Sequence, residues 1–309
     1  MSVPKSLEQA VQSRDCTFIG GGTDIMPLLK NHVRNDSNFL FVSKLPELQG
    51  IAEEDGFLSV GAGTTLFDVS ENELIRSRYP ALAQAAAATA SPQNRNIATI
   101  GGNIMQDRRC IYFNQSTFWR SALPLCFKTG GSVCHQIPNS PVCRAIYYSD
   151  VATALLVYDA EVEYYEYGTL HRAKAEELIR RHTLANGLSC AQHLPVLVAR
   201  FLVPVRPDGE KSGFYKYAMR MTIDFPLINF ALCVSAEGAK LVAGAVSTEP
   251  VTLDETAAAI AAGKSEEEII AACEAELRKK AKPIKEAIIT PAMKRELYRQ
   301  VAFLLPLCR

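Results

Sequence analysis

The 309 residues include no unbroken apolar stretch of roughly 18 residues, so no membrane-spanning helix is expected. Charge of one sign is not in excess, because Lys+Arg and Asp+Glu are both 33. A nucleic-acid binder concentrates basic residues, and this balance argues against one. Met1 to Arg14 is polar and lacks the apolar core of a secretory signal. No H-E-x-x-H pair and no Ser-His-Asp arrangement supports hydrolysis. The familiar phosphate motifs are missing too: there is no G-x-G-x-x-G, and no glycine loop ends in Gly-Lys-Ser/Thr. Although the chain has 9 cysteines, none form a C-x-x-C pair. Tryptophan occurs once, and no fixed-period repeat is present.

What is there describes a globular chain. Hydrophobic residues make up 48% and charged residues 21%. This length builds a core of normal size and allows two or three domains. Cysteines without an export signal point to a reducing, cytoplasmic setting with free thiols.

The chain is organised around the stretch from Thr99 to Asp150. It holds Cys110, Cys126, Cys134 and Cys143, separated by 15, 7 and 8 residues. Four thiolates in one segment can close a soft-metal site, either zinc or an iron–sulfur cluster. Buried free thiols and disulfides are the plainer readings. The long gaps suit a bulky group approached from separate corners. Tyr112, Phe113, Phe118 and Trp119 would keep water from it. Cys16, Cys190, Cys233, Cys273 and Cys308 are isolated and read as ordinary thiols.

Two glycine segments suggest a phosphate site. Cys16 to Ile19 reads as a strand running into Gly20-Gly21-Gly22-Thr23-Asp24, with a helix over Ile25 to Asn31. Strand, glycine turn and helix present backbone N–H groups to an anion. Gly101-Gly102-Asn103 reads as a second glycine turn after a polar loop at Gln93 to Asn96.

Elsewhere the patterns predict further elements. Ile51 to Glu54 and Phe57 to Val60 form a hairpin around Asp55-Gly56. Helices are expected over Leu66 to Arg76, Ala81 to Ala90, Val151 to Asp159 and Ala175 to Arg181. A second hairpin turns at Gly168, and Leu194 to Pro204 reads as a strand. Ser265 with Glu268 makes a capping box for a helix to Lys279, and Pro291 to Leu305 is a terminal helix. Composition suggests three units: 1–38, then 39–185 with an insert at about 107–147, then 186–309.

With these residues in hand, the chain resembles the flavoprotein subunits of the xanthine dehydrogenase and carbon monoxide dehydrogenase family. Gly20-Gly21-Gly22-Thr23-Asp24 looks like that family's first FAD-pyrophosphate loop, and Ala98-Thr99-Ile100-Gly101-Gly102-Asn103 like its second. Ser149-Asp150 looks like its Ser-Asp element, and Lys216, Arg220 and Asp224-Phe225-Pro226 like its C-terminal signature. The resemblance implies an α+β chain with the FAD-binding fold of the vanillyl-alcohol-oxidase/CO-dehydrogenase flavoprotein type, followed by a C-terminal α+β domain. It implies FAD contacts at Ile19, Gly20, Gly21, Gly22, Thr23, Asp24, Ile25, Thr99, Ile100, Gly101, Gly102, Asn103 and Asp107. Asp150 would accept ribityl or ribose hydroxyl protons, and Lys216 would sit near the isoalloxazine.

The cysteine insert resembles that of one branch, the β subunits of 4-hydroxybenzoyl-CoA reductases. Matching residues include Gln106-Asp107, Arg109-Cys110, Asn114-Gln115-Ser116, Trp119-Arg120, Lys128, Cys134-His135 and Cys143. The resemblance implies a 4Fe–4S cluster on Cys110, Cys126, Cys134 and Cys143. It further implies a molybdenum-cofactor large subunit, a small subunit with two 2Fe–2S clusters, and a low-potential ferredoxin donor. Electrons would run from 4Fe–4S to FAD, to 2Fe–2S and to molybdenum, where a phenolic hydroxyl leaves an aromatic substrate. The alternatives are a xanthine-dehydrogenase-like hydroxylase subunit and a zinc-stapled binding module. Arg109 and Arg120 are expected to meet either a cluster sulfur or a carboxylate, and His135 to lie outside the ligand set.

Overall fold

Aromatic and β-branched residues at Thr17–Ile19 and Phe39–Phe41 form two short strands, β1 and β2, which pair in parallel. The computed structural model that shows this describes residues 2–13, 15–188, 194–207, 209–220 and 223–308. The Gly20-to-Asp24 turn carries the chain from β1 into the helix Ile25–Lys30.

Strands β3 (Ile51–Glu54) and β4 (Phe57–Gly61) form the expected hairpin. They share a five-stranded sheet with β5 (Glu161–Glu166), β6 (Thr169–Lys174) and β7 (Val196–Pro204), in the order β3-β4-β7-β5-β6. The central place belongs to β7, so this sheet continues to residue 204. Residue 186 lies within the helix Ala175–Leu188, which runs about two turns past its expected end at Arg181.

The remaining sheet is antiparallel, with β8 (Lys211–Tyr217), β9 (Ile228–Ser235), β10 (Gly238–Gly244) and β11 (Val251–Thr252) in the order β11-β10-β9-β8. The helices Asp254–Ala261 and Glu266–Lys280 cover it, and Ser265 with Glu268 forms the expected capping box. The chain is thus α+β.

The helix Asp150–Val157 is buried along its whole length. It packs on β9, on β10 and on the alanine-rich helix Pro80–Ala87. Alanine at 81, 83, 85 and 86 lets the two helices approach closely, and Tyr158 meets Tyr79 edge-on at 5.6 Å between ring centres. Replacing Leu155 by Ala in this core costs about 2–5 kcal/mol.

Several local expectations change in three dimensions. The helix predicted over Leu66 to Arg76 breaks at Asn72, whose side chain caps a second helix, Glu73–Arg78. The polar loop at Gln93 to Asn96 is a helical turn, Pro92–Arg95, capped by Ser91. The terminal helix ends at Glu296 and continues as 3₁₀ turns. Cys190 and the side chain of Cys308 lie outside the described residues, whereas Cys16, Cys233 and Cys273 are free thiols. No helix among the described residues is long and apolar enough to cross a membrane.

The insert leaves the body at Arg109 and returns at Ile146. Those two residues close its base with paired backbone hydrogen bonds of 2.8 and 2.9 Å. Within it lie one helical turn at Thr117–Arg120, one 3₁₀ turn at Phe127–Thr129, and loop.

Candidate cofactor cleft and cysteine cavity

The first glycine turn floors a cleft of about 230 Å³ lined by Ile19, Gly20, Gly21, Gly22, Thr23, Asp24 and Ile25. Gly22 has φ of +73°, a left-handed conformation that glycine adopts without strain. Among the described residues, no backbone or side-chain acceptor engages the N–H groups of Gly21, Gly22 and Thr23. These are the donors free for an anion.

The second glycine segment differs from the expectation. It is the first turn of a short helix, Ile100–Ile104, capped by Thr99. Its N–H groups are spent inside the protein: Ile100 on Thr64 O, Gly101 on Ala62 O, Gly102 on Thr99 Oγ1 and Asn103 on Thr99 O. The glycines here serve close packing. A Cβ at Gly101 would lie 2.8 Å from Ala62, and a Cβ at Gly20 would overlap Thr99 Oγ1. A Cβ at Gly21 would overlap the Ile97 carbonyl, so the two segments abut through glycine. Gly102 is exposed in the cleft, where an added Cβ would meet only its own cap, Thr99 Oγ1, at 3.0 Å. That space is a cradle that a side chain would fill. The cleft shares Gly20, Thr99, Gly102 and Met105 with a smaller hollow of about 100 Å³.

Asp24 ties this floor to the stretch that enters the insert. One oxygen pairs with Arg109, and the other accepts from Asp107 N at 3.3 Å. Arg34 holds Asp107 at 3.1 Å and also pairs with Asp36. Burial would lower the Arg34 pKa, but the two carboxylates raise it, so the guanidinium stays charged. Arg109 also lies 4.6 Å over the ring of Phe225, which lines the cleft.

Asp150 and Lys216 meet each other at 2.8 Å away from the cleft lining. Lys216 also donates to Ala88 O, and Asn229 donates to Asp150 at 2.6 Å. Asp150 is buried with both oxygens taken, so it does not present a free carboxylate to a ligand. Burial pushes its pKa above the usual carboxylate value, opposed by Lys216 and Asn229. Nor is it the helix cap: Ser149 caps this helix and also donates to Asn103 Oδ1 at 2.5 Å. The Asp150–Lys216 pair therefore anchors the helix that supports Asn103.

Of the sequence-expected cofactor residues, Ile19 to Ile25, Thr99, Gly102, Asn103 and Asp107 come together around one cleft. Ile100 is core, Gly101 packs on Ala62, and Asp150 and Lys216 lie behind the wall. Sequence reasoning missed Arg34, Met105 and Asn94 in this lining. Phe225 carried a signal in the Asp-Phe-Pro motif. Arg34 carried none, since only the fold brings it 73 residues along the chain to Asp107.

Cys110, Cys126, Cys134 and Cys143 all line a second, small cavity of about 20 Å³, with Phe113, Lys128 and His135 around them. Among the described residues, no three Cys, His, Asp or Glu side chains are grouped closely enough to hold a metal ion. The thiols ring a common space without converging on one point. Burial raises the Cys110 pKa. His135 bonds the Pro124 carbonyl at 2.8 Å and packs at a tilt against Tyr112, 5.4 Å between ring centres, outside a ligand role. Among the described residues Arg120 meets neither sulfur nor carboxylate: it donates to the carbonyls of Phe113 and Val33 at 2.6 and 2.9 Å.

An α+β body with a strand-to-helix glycine turn and unspent N–H groups defines a binder of a phosphate-bearing cofactor. The chain belongs to the family described as FAD binding domain in molybdopterin dehydrogenase, whose model matches residues 1–197. The xanthine dehydrogenase FAD-binding subunit of Escherichia coli O157:H7 is 28% identical over 217 residues, 69% of this chain. That match spans only 59% of the relative's length. The aldehyde oxidoreductase FAD-binding subunit PaoB of Escherichia coli strain K12 is 30% identical over 260 residues, 80% of this chain and 79% of its own. Among solved structures, carbon monoxide dehydrogenase from Hydrogenophaga pseudoflava superposes with a TM-score of 0.75 at 18% identity, covering 99% of this chain and 95% of that one. Quinoline 2-oxidoreductase from Pseudomonas putida 86 gives 0.73 at 17% identity, covering 99% and 94%. At these identities the likeness is one of fold, and it is the fold expected.

Proposed function

We propose that this chain is the flavin and iron–sulfur subunit of a molybdenum-containing reductase that removes a phenolic hydroxyl from an aromatic substrate. In this reading FAD occupies the cleft and a 4Fe–4S cluster is held by Cys110, Cys126, Cys134 and Cys143. A molybdenum-cofactor subunit and a 2Fe–2S subunit are its partners, and a low-potential ferredoxin is its donor. Losing the hydroxyl as water takes two electrons and two protons.

The supporting observation is the wall between the two cavities. Arg109 lines the flavin cleft and Cys110 lines the cysteine cavity. They are consecutive residues, with Cα atoms about 3.8 Å apart. A redox group on the four cysteines would therefore sit directly against the flavin site.

FAD supplies the ability to take electrons singly or in pairs. The chain's own residues do the holding. Gly21, Gly22 and Thr23 offer N–H groups to the pyrophosphate, Gly102 leaves room for it, and Asp24 with Arg109 fixes the turn. The donor chemistry of four thiols suits a four-iron cluster, in which each cysteine takes a separate iron. Because the cavity is small, a cluster held there would require the cysteine-bearing turns to spread, and the insert that carries them is mostly loop.

The xanthine dehydrogenase and aldehyde oxidoreductase relatives favour a second reading, a hydroxylase subunit that passes electrons away from substrate. Anaerobic purification separates the two. Flavin bands with a broad iron–sulfur absorbance, four irons and four sulfides per chain, and an EPR signal after dithionite are expected on the first reading. Flavin alone supports the second, and zinc refutes the cluster.

A further inference from the structure

From Arg108 to Ser149 the chain carries no Asp or Glu, yet it holds Arg108, Arg109, Arg120, Lys128 and Arg144. Arg109 pairs with Asp24, Arg120 reaches two carbonyls, and Arg144 donates to Ser140 Oγ at 2.8 Å. The other two are buried, Arg108 at 3% exposure and Lys128 at 1%. Lys128 lines the cysteine cavity. Its Nζ donates to Arg108 O at 2.7 Å and Asn186 Oδ1 at 2.9 Å, and lies 4.2 Å from the centre of the Phe113 ring.

Arg108 backs the Cys143 wall. Its Nη1 donates to Cys143 O at 3.4 Å and Ala145 O at 3.3 Å, while its buried Nε has no hydrogen-bond partner among the described residues. Gly187 makes the room: a Cβ there would overlap Arg108 Nη2 and lie 3.5 Å from Cys143 Cβ. A guanidinium buried on neutral carbonyls is costly unless an anion stands nearby.

We propose that Arg108 and Lys128 form a buried cationic backing for the group held by the four cysteines, and that they raise its reduction potential without ligating it. The inference rests on the 4Fe–4S reading. Four thiolates around such a core leave it net negative in both oxidation states, and more so when reduced. Lys128 at its wall and Arg108 behind the Cys143 segment therefore favour the added electron, because net charge and burial set cluster potentials. Asn186 carries the contact onward, donating to Asp107 at 2.5 Å on the flavin side. Arg108 and Lys128 are positioning residues in this scheme.

The test is an EPR-monitored redox titration of anaerobically purified full chain. Lys128→Met and Arg108→Gln are expected to keep FAD and four irons. At a fixed potential their reduced-to-oxidised cluster ratio should fall at least tenfold, equivalent to 59 mV for one electron. Lys128→Arg should recover most of that loss. Loaded neutral variants with the wild-type midpoint would overturn the inference alone. A wild-type chain lacking iron and sulfide would overturn the cluster reading and the inference with it. If the neutral variants fail to fold or load, Gly187→Ala decides. It keeps every charge but displaces the guanidinium, so its midpoint should fall, and an unchanged midpoint there would also overturn the idea.

Discussion

Gly102→Val separates cofactor space from fold. In the protein alone, the new Cβ meets only Thr99 Oγ1 at 3.0 Å. Valine is a slightly better helix residue than glycine, by a few tenths of a kcal/mol. The contact with Thr99 offsets that gain, so stability should change by less than about 1 kcal/mol and Tm by less than about 4 °C. The valine methyls would occupy cleft space that we assign to the pyrophosphate. The Kd for FAD should rise at least about a hundredfold, or about 2.8 kcal/mol. Gly21→Ala is the control with the opposite balance. Its Cβ meets the Ile97 carbonyl, which is backbone and yields little. It should cost about 1–3 kcal/mol of stability as well as flavin. Calorimetry of the apoprotein and fluorescence titration with FAD measure both quantities. A Gly102→Val chain that purifies with stoichiometric FAD would refute the assignment of this cleft.

Single Cys→Ser changes at Cys110, Cys126, Cys134 or Cys143 should lower iron and sulfide but leave FAD bound, since these residues lie outside the flavin cleft; limited proteolysis should then cut the loosened insert faster. Asp24→Asn breaks the pair with Arg109 and should weaken FAD binding about tenfold, with little change in iron content. Glu276 accepts from Thr256 N at 2.9 Å, Thr256 Oγ1 at 2.8 Å and Lys280 at 2.7 Å. Burial opposes its ionisation, but Lys280 and Thr256 hold its pKa below the ordinary value. A depressed carboxylate stabilises the fold above its unfolded pKa and loses that contribution as pH falls through its folded pKa. Glu276→Gln should therefore cost about 1–2 kcal/mol at neutral pH and approach wild type in acid, as urea melts at several pH values would show.

The sequence by itself determined the elements whose causes are local. The strand-glycine-helix unit at Thr17–Lys30, the Asp55-Gly56 hairpin and the Ser265–Glu268 capping box are each written in adjacent residues, and each forms where expected. The four cysteines were legible as a set because nothing else in the chain spaces cysteines so densely. Tertiary structure decided what depends on neighbours distant in sequence. Gly101, Gly102 and Asn103 read as a phosphate-facing turn. Ala62 and Thr99 take the N–H groups of that segment, leaving the anion donors to the first turn. Asp150 read as a ligand residue, but Lys216 and Asn229 from the C-terminal sheet close over it. No local pattern could reveal that Gly187, 79 positions after Arg108, would vacate space for its guanidinium. Such contacts follow from close packing of segments remote along the chain, and spacing within any one segment does not encode them.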